Sequence, residues 1–135
     1  MAGLALALAA FLTGCSSAPE PAFRGGPRLS AEPAAVDFGT VAEGTQVKAN
    51  FTLTNVGDAT LAIEKAATRV VEGCCPPTPQ LSSQELAPGK KATLTLEFTM
   101  VGDMVGPHRF EVLVYSNDAV SSVATLEVKG TYLSQ

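Results

Sequence analysis

The chain has 135 residues, of which 46% are hydrophobic and 16% are charged, and its formal net charge is −4. This length is sufficient for one domain with a hydrophobic core and short terminal segments. The nine Lys and Arg residues are scattered along the sequence. This argues against nucleic acid or an anionic membrane surface as the partner, because both bind basic patches.

The first residues predict export and attachment to lipid. Residues 2–12 form an uncharged run rich in Leu and Ala, which is too short for a transmembrane helix but typical of the apolar part of a secretory signal. The run ends in Leu12, Thr13, Gly14 and Cys15. This ending resembles a bacterial lipobox, with a signal peptide over residues 1–14 and lipid on Cys15. An ordinary signal peptide with an incidental cysteine is the alternative.

Lipid on Cys15 predicts a protein held on the extracytoplasmic face of a bacterial cell membrane. Several acyl chains give stable anchoring, since each buried methylene contributes about 0.8 kcal/mol. Residues 16–28 are rich in Ser, Pro, Gly and Ala, a composition typical of a flexible tether. We therefore divide the chain into a signal peptide, a lipidated and flexible segment over residues 15–30, and a folded domain over residues 31–133.

Alternating apolar and polar residues predict about seven short strands in this domain. The first strand is expected from Ala31 to Val41, with Pro33 restricted to a sheet edge. The others are expected at residues 47–54, 61–71, 80–86, 92–98, 110–114 and 123–133. Strands of this length and spacing predict an all-β fold, a single immunoglobulin-like antiparallel β-sandwich.

Turn and edge residues of the domain resemble a known bacterial family. The matching positions are Asp37, Phe38, Gly39, Val41, Glu43, Gly44, Phe51, Leu53, Asn55, Gly57, Leu86, Pro88, Gly89, Tyr115, Ser116, Asn117 and Asp118. Together they resemble the family called domain of unknown function 1573. The resemblance covers residues 31–132 and implies an immunoglobulin-like domain related to the ASPM/Hydin type and to major sperm protein.

The family resemblance breaks down at the cysteines. Family members typically carry Cys-Gly-Cys-Thr after the third strand, whereas this chain has Cys74, Cys75, Pro76 and Pro77. A role of the family's spaced cysteine pair therefore does not transfer to this chain.

The directions of the predicted strands bring two segments to one end of the sandwich. Cys74 and Cys75 follow the third strand, and the loop containing Met100, Met104 and His108 follows the fifth. This end offers two thiols, two thioethers and the single histidine of the chain. Soft sulfur donors favour Cu(I), so these five residues are a candidate metal site for copper storage, delivery or sensing.

Each of these residues also has a structural interpretation. Met100 can fill the end of the core, since methionine adapts to irregular gaps. His108 can be a solvated loop residue. The adjacent Cys74 and Cys75 of an exported protein can form a vicinal disulfide, or they can pair with another chain.

The sequence contains no phosphate-binding loop, no recognisable carboxylate pair and no nucleophile elbow. The only nucleophile and base would be Cys74 or Cys75 with His108, without a third group to orient them. No catalytic residue is therefore assigned. The first interpretation is a non-enzymatic lipoprotein whose immunoglobulin-like domain binds another envelope protein, and Cu(I) binding at the five residues is the alternative.

Overall fold

The computed structural model describes residues 21–135, so the predicted signal peptide and Cys15 lie outside the described residues. The described residues form nine strands and one short 3-10 turn, Gly102–Met104. No helix in this part of the chain is long and apolar enough to cross a membrane. The strands are β1 (Leu29–Glu32), β2 (Ala35–Ala42), β3 (Val47–Asn55), β4 (Leu61–Glu72), β5 (Gln80–Leu81), β6 (Glu85–Leu86), β7 (Lys91–Phe98), β8 (Gly106–Ser116) and β9 (Val123–Leu133).

The strands form two sheets that pack face to face. One sheet has the order β1-β3-β7-β5 and the other has the order β2-β9-β8-β4-β6. The predicted immunoglobulin-like β-sandwich is therefore confirmed. The expectation of a wholly antiparallel arrangement was wrong at one sheet edge, because β2 runs parallel to β9.

The core lies between the sheets and follows the alternation of the sequence. In β3, Val47, Ala49, Phe51 and Leu53 point inward and are buried, while the residues between them face outward. In the opposing sheet, β8 and β9 bury their own alternate apolar residues. Each fully buried large apolar side chain contributes about 1.5–3 kcal/mol, so this alternation is the main source of the stability of the fold.

Two predicted strands are each divided between the two sheets. The expected strand from Ala31 to Val41 breaks at a cis peptide bond between Glu32 and Pro33, so β1 pairs with β3 and β2 pairs with β9. The expected strand over residues 80–86 likewise divides into β5, which pairs with β7, and β6, which pairs with β4. An alternating pattern shows which residues are buried but not which sheet buries them.

Residues 23–28, predicted as part of the tether, lie against one end of the sandwich. The backbone N–H of Phe23 donates to the carbonyl oxygen of Val56 at 2.9 Å, and the N–H of Val56 donates to that of Arg28 at 2.8 Å. A Cβ atom on Gly57 would lie 2.2 Å from the carbonyl oxygen of Gly26. The segment therefore lies closely over the β3–β4 turn.

Two buried polar side chains hold this end together, which we call the Asn55 pole after the residue at its centre. The Asn55 Oδ1 atom accepts from the N–H groups of Arg28 and Gly57, and its Nδ2 atom donates to the carbonyl oxygens of Ala59 and Leu86. All four hydrogen-bonding positions of the buried amide are thus occupied.

Asp118 is the second buried polar residue of the Asn55 pole. It accepts hydrogen bonds from the backbone N–H groups of Leu29, Val120 and Ser121, and it pairs with the guanidinium of Arg28 at 2.8 Å. Burial alone would raise the pKa of this carboxyl group, but the hydrogen bonds outweigh burial and lower the pKa to about 2. Asp118 thereby fastens β1 to the β8–β9 turn.

Candidate functional site: the cysteine pole

The other end of the sandwich carries the predicted site residues, and we call it the cysteine pole. It consists of the loops 43–46, 73–79 and 99–105 together with the adjoining strand ends. Glu72 at the end of β4 pairs with Arg109 near the start of β8, and Val47 at the start of β3 pairs with Phe98 at the end of β7. The segments containing the cysteines and the methionines therefore meet at one end, as the strand directions predict.

The two cysteines are bonded to each other. Cys74 and Cys75 form a vicinal disulfide. Cys74 is half-buried, whereas Cys75 is exposed and has a φ of 62°, a left-handed conformation that residues other than glycine rarely adopt. Pro77 is buried two residues later, so the loop is anchored beyond the disulfide. In this state neither sulfur is a thiol or a thiolate.

His108 belongs to β8 and is only 2% exposed, so the interpretation as a solvated loop residue was wrong. Its Nδ1 atom lies 2.9 Å from the carbonyl oxygen of Gly106. Because a carbonyl oxygen only accepts, Nδ1 carries the proton and Nε2 of the neutral ring is left with a lone pair. Nε2 is buried and has no hydrogen-bond partner among the described residues.

Gly73 brings the cysteine loop onto the imidazole of His108. A Cβ atom at Gly73 would lie 2.6 Å from Cδ2 of His108, and the glycine has a φ of 86°. Cδ2 is the ring carbon bonded to Nε2. The loop therefore contacts the Cγ–Cδ2 side of the ring, next to the atom that carries the unpartnered lone pair, and Cys74 is the next residue along the chain.

The two methionines are placed differently from each other. Met100 is 1% exposed and belongs to the hydrophobic core, in agreement with the structural interpretation of this residue. Met104 lies in the 3-10 turn and is partly buried against the core. Within residues 21–135, no three or more His, Cys, Asp or Glu side chains are grouped so that they could hold a metal ion.

Two residues that the sequence analysis did not assign to the candidate site fix the loops of the cysteine pole. The hydroxyl of Tyr132 donates to the carbonyl oxygens of Thr45 at 2.8 Å and Phe98 at 3.2 Å, and its burial raises the pKa of the phenol. The Oε1 atom of Glu43 accepts from the N–H of Gly102 at 2.6 Å. The inward position of Tyr132 in the β9 alternation was the only sequence signal for this role.

A groove of about 350 Å³ opens beside the cysteine pole, across the middle of β2 and the adjoining ends of β4, β8 and β9. Its charged lining residues are Asp37, Glu72, Arg109 and Lys129, and His108 lies among the residues that line it. Two acidic and two basic side chains suit a polar surface with charges of both signs better than a strongly charged ligand.

Comparison with known proteins supports the family resemblance. The family described as "Protein of unknown function (DUF1573)" matches residues 29–132. No curated protein matches the sequence.

Solved structures show the same fold. A protein of unknown function from Porphyromonas gingivalis W83 aligns with a TM-score of 0.64 and 18% identity, covering 78% of this chain and 47% of that one. The secreted serine protease VesC from Vibrio cholerae aligns with a TM-score of 0.53 and 15% identity, covering 72% and 21%. A family 123 glycoside hydrolase from Clostridium perfringens aligns with a TM-score of 0.55 and 9% identity, covering 74% and 23%. This chain thus spans about half or less of the length of each neighbour.

Proposed function

The chain belongs to the DUF1573 family of proteins of unknown function, and from this premise we propose that it is a membrane-anchored, extracytoplasmic binding module. In this proposal the immunoglobulin-like domain is not an enzyme. It presents the cysteine pole to a second protein of the cell envelope.

The attachment of residues 23–28 to the Asn55 pole is the observation that carries this proposal. If Cys15 bears lipid, only seven residues separate it from Phe23, whose N–H is bonded to Val56. Eight residue steps span at most about 28 Å when extended. The Asn55 pole is then held close to the membrane.

The cysteine pole lies at the opposite end of the domain and would face away from the membrane. The eleven residues of β9 span about 35 Å at the usual rise of a strand. Of the exposed large apolar side chains, Val71, Val101 and Leu133 lie toward the cysteine pole. With the groove beside them, they offer both apolar and polar contacts to a partner.

The test combines membrane fractionation with site-specific photocrosslinking in cells. We expect Cys15→Ala to release the protein from the membrane fraction. A photoreactive residue at Val101 should crosslink to an envelope protein, whereas the matched exposed position Val120, near the Asn55 pole, should not. Retention of Cys15→Ala in the membrane fraction would refute the anchor. Equal crosslinking from both positions would refute presentation of the cysteine pole.

Cu(I) binding is the second candidate, and the unpartnered Nε2 of His108 beside Gly73 favours it. After reduction of the disulfide, Cys74 and Cys75 would supply thiolates, and Met104 would supply a thioether from the neighbouring turn. Met100 would join only if the end of the core opened, because it is fully buried.

The reduced protein is titrated with Cu(I) against a competing chelator to test this second candidate. The variant with both Cys74→Ser and Cys75→Ser should lose the affinity, and Met104→Leu should weaken it. Equal affinity of the wild type and the double variant would exclude the site.

A further inference from the structure

We infer that the Cys74–Cys75 disulfide is a reversible redox site that exchanges with external dithiols, and that His108 stabilises its reduced form. This inference goes beyond the binding role and depends on neither the lipid anchor nor a metal. It rests on the vicinal disulfide, the exposure of Cys75 and the buried lone pair of His108.

In the oxidised state the Nε2 atom of His108 has no hydrogen-bond partner among residues 21–135. Its Nδ1 proton is used by the carbonyl oxygen of Gly106, so Nε2 can only accept a hydrogen bond. The sulfurs of a disulfide carry no hydrogen and cannot donate one. Buried polar atoms in native proteins almost always have hydrogen-bond partners. The unpartnered Nε2 atom therefore indicates that the oxidised state lacks one hydrogen bond at His108.

Reduction supplies the missing donor. Gly73 lies against Cδ2, the ring carbon bonded to Nε2, and Cys74 follows it directly. Once the disulfide is reduced, Cys74 carries an S–H group that can donate to Nε2. The same reduction frees Cys75 from the ring that holds it at a φ of 62°, so the backbone can return to an ordinary conformation.

The change is confined to the exposed part of the loop. Gly73 is packed on His108 and Pro77 is buried, so the chain is anchored on both sides of the cysteines. Cys75 is the more exposed of the two, and its Sγ atom is therefore the one that an incoming thiolate attacks.

The exchange proceeds in two displacements. A thiolate of the external dithiol attacks Sγ of Cys75, a mixed disulfide forms, and Cys74 leaves as a thiolate that takes up a proton. The second thiolate of the dithiol then attacks the dithiol's first sulfur, which is bonded to Sγ of Cys75. The bond between these two sulfurs breaks, and Cys75 leaves as a thiolate that is protonated in turn. Two electrons and two protons pass from the dithiol, which becomes a disulfide, to the cysteine pair.

The first test uses nitrogen NMR of the wild-type protein. His108 is the only histidine in the chain, so its two ring nitrogen signals are assigned without ambiguity. On reduction with dithiothreitol we expect the Nε2 signal to move from that of a free lone pair to that of a hydrogen-bonded acceptor, while Nδ1 stays protonated. An unchanged Nε2 signal in the reduced protein would overturn the role of His108.

The second test is an equilibrium titration in mixtures of reduced and oxidised dithiothreitol. The peptide containing Cys74 and Cys75 is trapped by alkylation and quantified by mass spectrometry, which keeps Cys15 out of the readout. We expect a reversible two-electron transition in the wild type. In His108→Phe the equilibrium should shift toward the disulfide by roughly fivefold, the usual net contribution of one hydrogen bond.

Val105→Ala is the matched control, since this residue lies at the same pole, packs against the core and has no hydrogen-bonding side chain. It should titrate as the wild type does. A disulfide that does not re-form after reduction would overturn the redox site. A His108→Phe equilibrium equal to that of the wild type would overturn the stabilisation by His108.

Discussion

Replacement of Asp118 by Asn should remove a part of the stability that depends on pH. The pKa of this carboxyl group falls from 3.8 to about 2 on folding. Burial by itself would raise the pKa, but the hydrogen bonds that the carboxylate accepts outweigh the effect of burial. The donors are Leu29, Ser121, Val120 and Arg28. A difference of nearly two pKa units corresponds to about 2 kcal/mol. The side chain is only 2% exposed, so solvent screening does not reduce this value much.

The sign of the effect follows from the lowered pKa. The folded state favours the ionised carboxylate, so the stabilisation is fully present above about pH 4 and is lost as the pH falls toward 2. Urea unfolding at intervals between pH 7 and pH 2 measures it. The free energy of unfolding of Asp118→Asn should lie at least about 2 kcal/mol below that of the wild type at pH 7, and the gap should narrow at low pH.

The difference in free energy of unfolding between the wild type and Asp118→Asn at each pH reports on Asp118 alone, because the other carboxylates are present in both proteins. Asp103→Asn, an exposed aspartate at the cysteine pole, is the control and should follow the wild-type curve. A gap between Asp118→Asn and the wild type that stays constant from pH 7 to pH 2 would refute the reasoning, because a pH-independent loss cannot arise from ionisation.

Three further substitutions test the two poles. Asn55→Ala should lower the free energy of unfolding by about 3 kcal/mol, because four backbone groups, two buried and two partly buried, lose their partner. The exposed Asn50→Ala should cost far less, and equal losses would contradict this. Gly57→Ala should displace residues 23–28 and expose the bond after Arg28 to trypsin, whereas persistent resistance would show that the segment adapts. Gly73→Ala should cost about 2 kcal/mol by thermal unfolding, since its Cβ meets the imidazole at a positive φ, and wild-type stability would mean that the loop shifts freely.

The strands of the domain could be read from the sequence because burial alternates along them. β3 and β7 were predicted within a residue or two, since every second residue of each is apolar. The breaks at Pro33 and between β5 and β6 were missed, because a chain that changes sheets keeps the same alternation on both sides. The parallel pairing of β2 with β9 leaves no local signature at all.

The burial of two polar residues could not be predicted from the sequence, for a different reason. Asn55 and Asp118 stand in segments whose composition is typical of turns, and the sequence does not show that a turn residue is buried. Residues 23–28 resemble a linker because their contacts with the domain are made largely by the backbone, which any composition can supply. At the cysteine pole, strand directions placed Cys74 near His108, and the adjacent cysteines allowed the vicinal disulfide as one of the alternatives, but nothing in the sequence could indicate the unpartnered Nε2.

The pairing of β2 with β9 has a consequence for the order in which the molecule forms. Ala35 pairs with Glu127, and Arg28 pairs with Asp118, 90 residues later in the chain. β2 and Arg28 therefore gain these partners only from the last part of the domain, and contacts this distant in sequence make folding slow. A nascent chain that ends before Val123 still lacks β9, the strand that joins β2 to the rest of its sheet. β2 therefore joins its sheet only when β9 is inserted between β2 and β8.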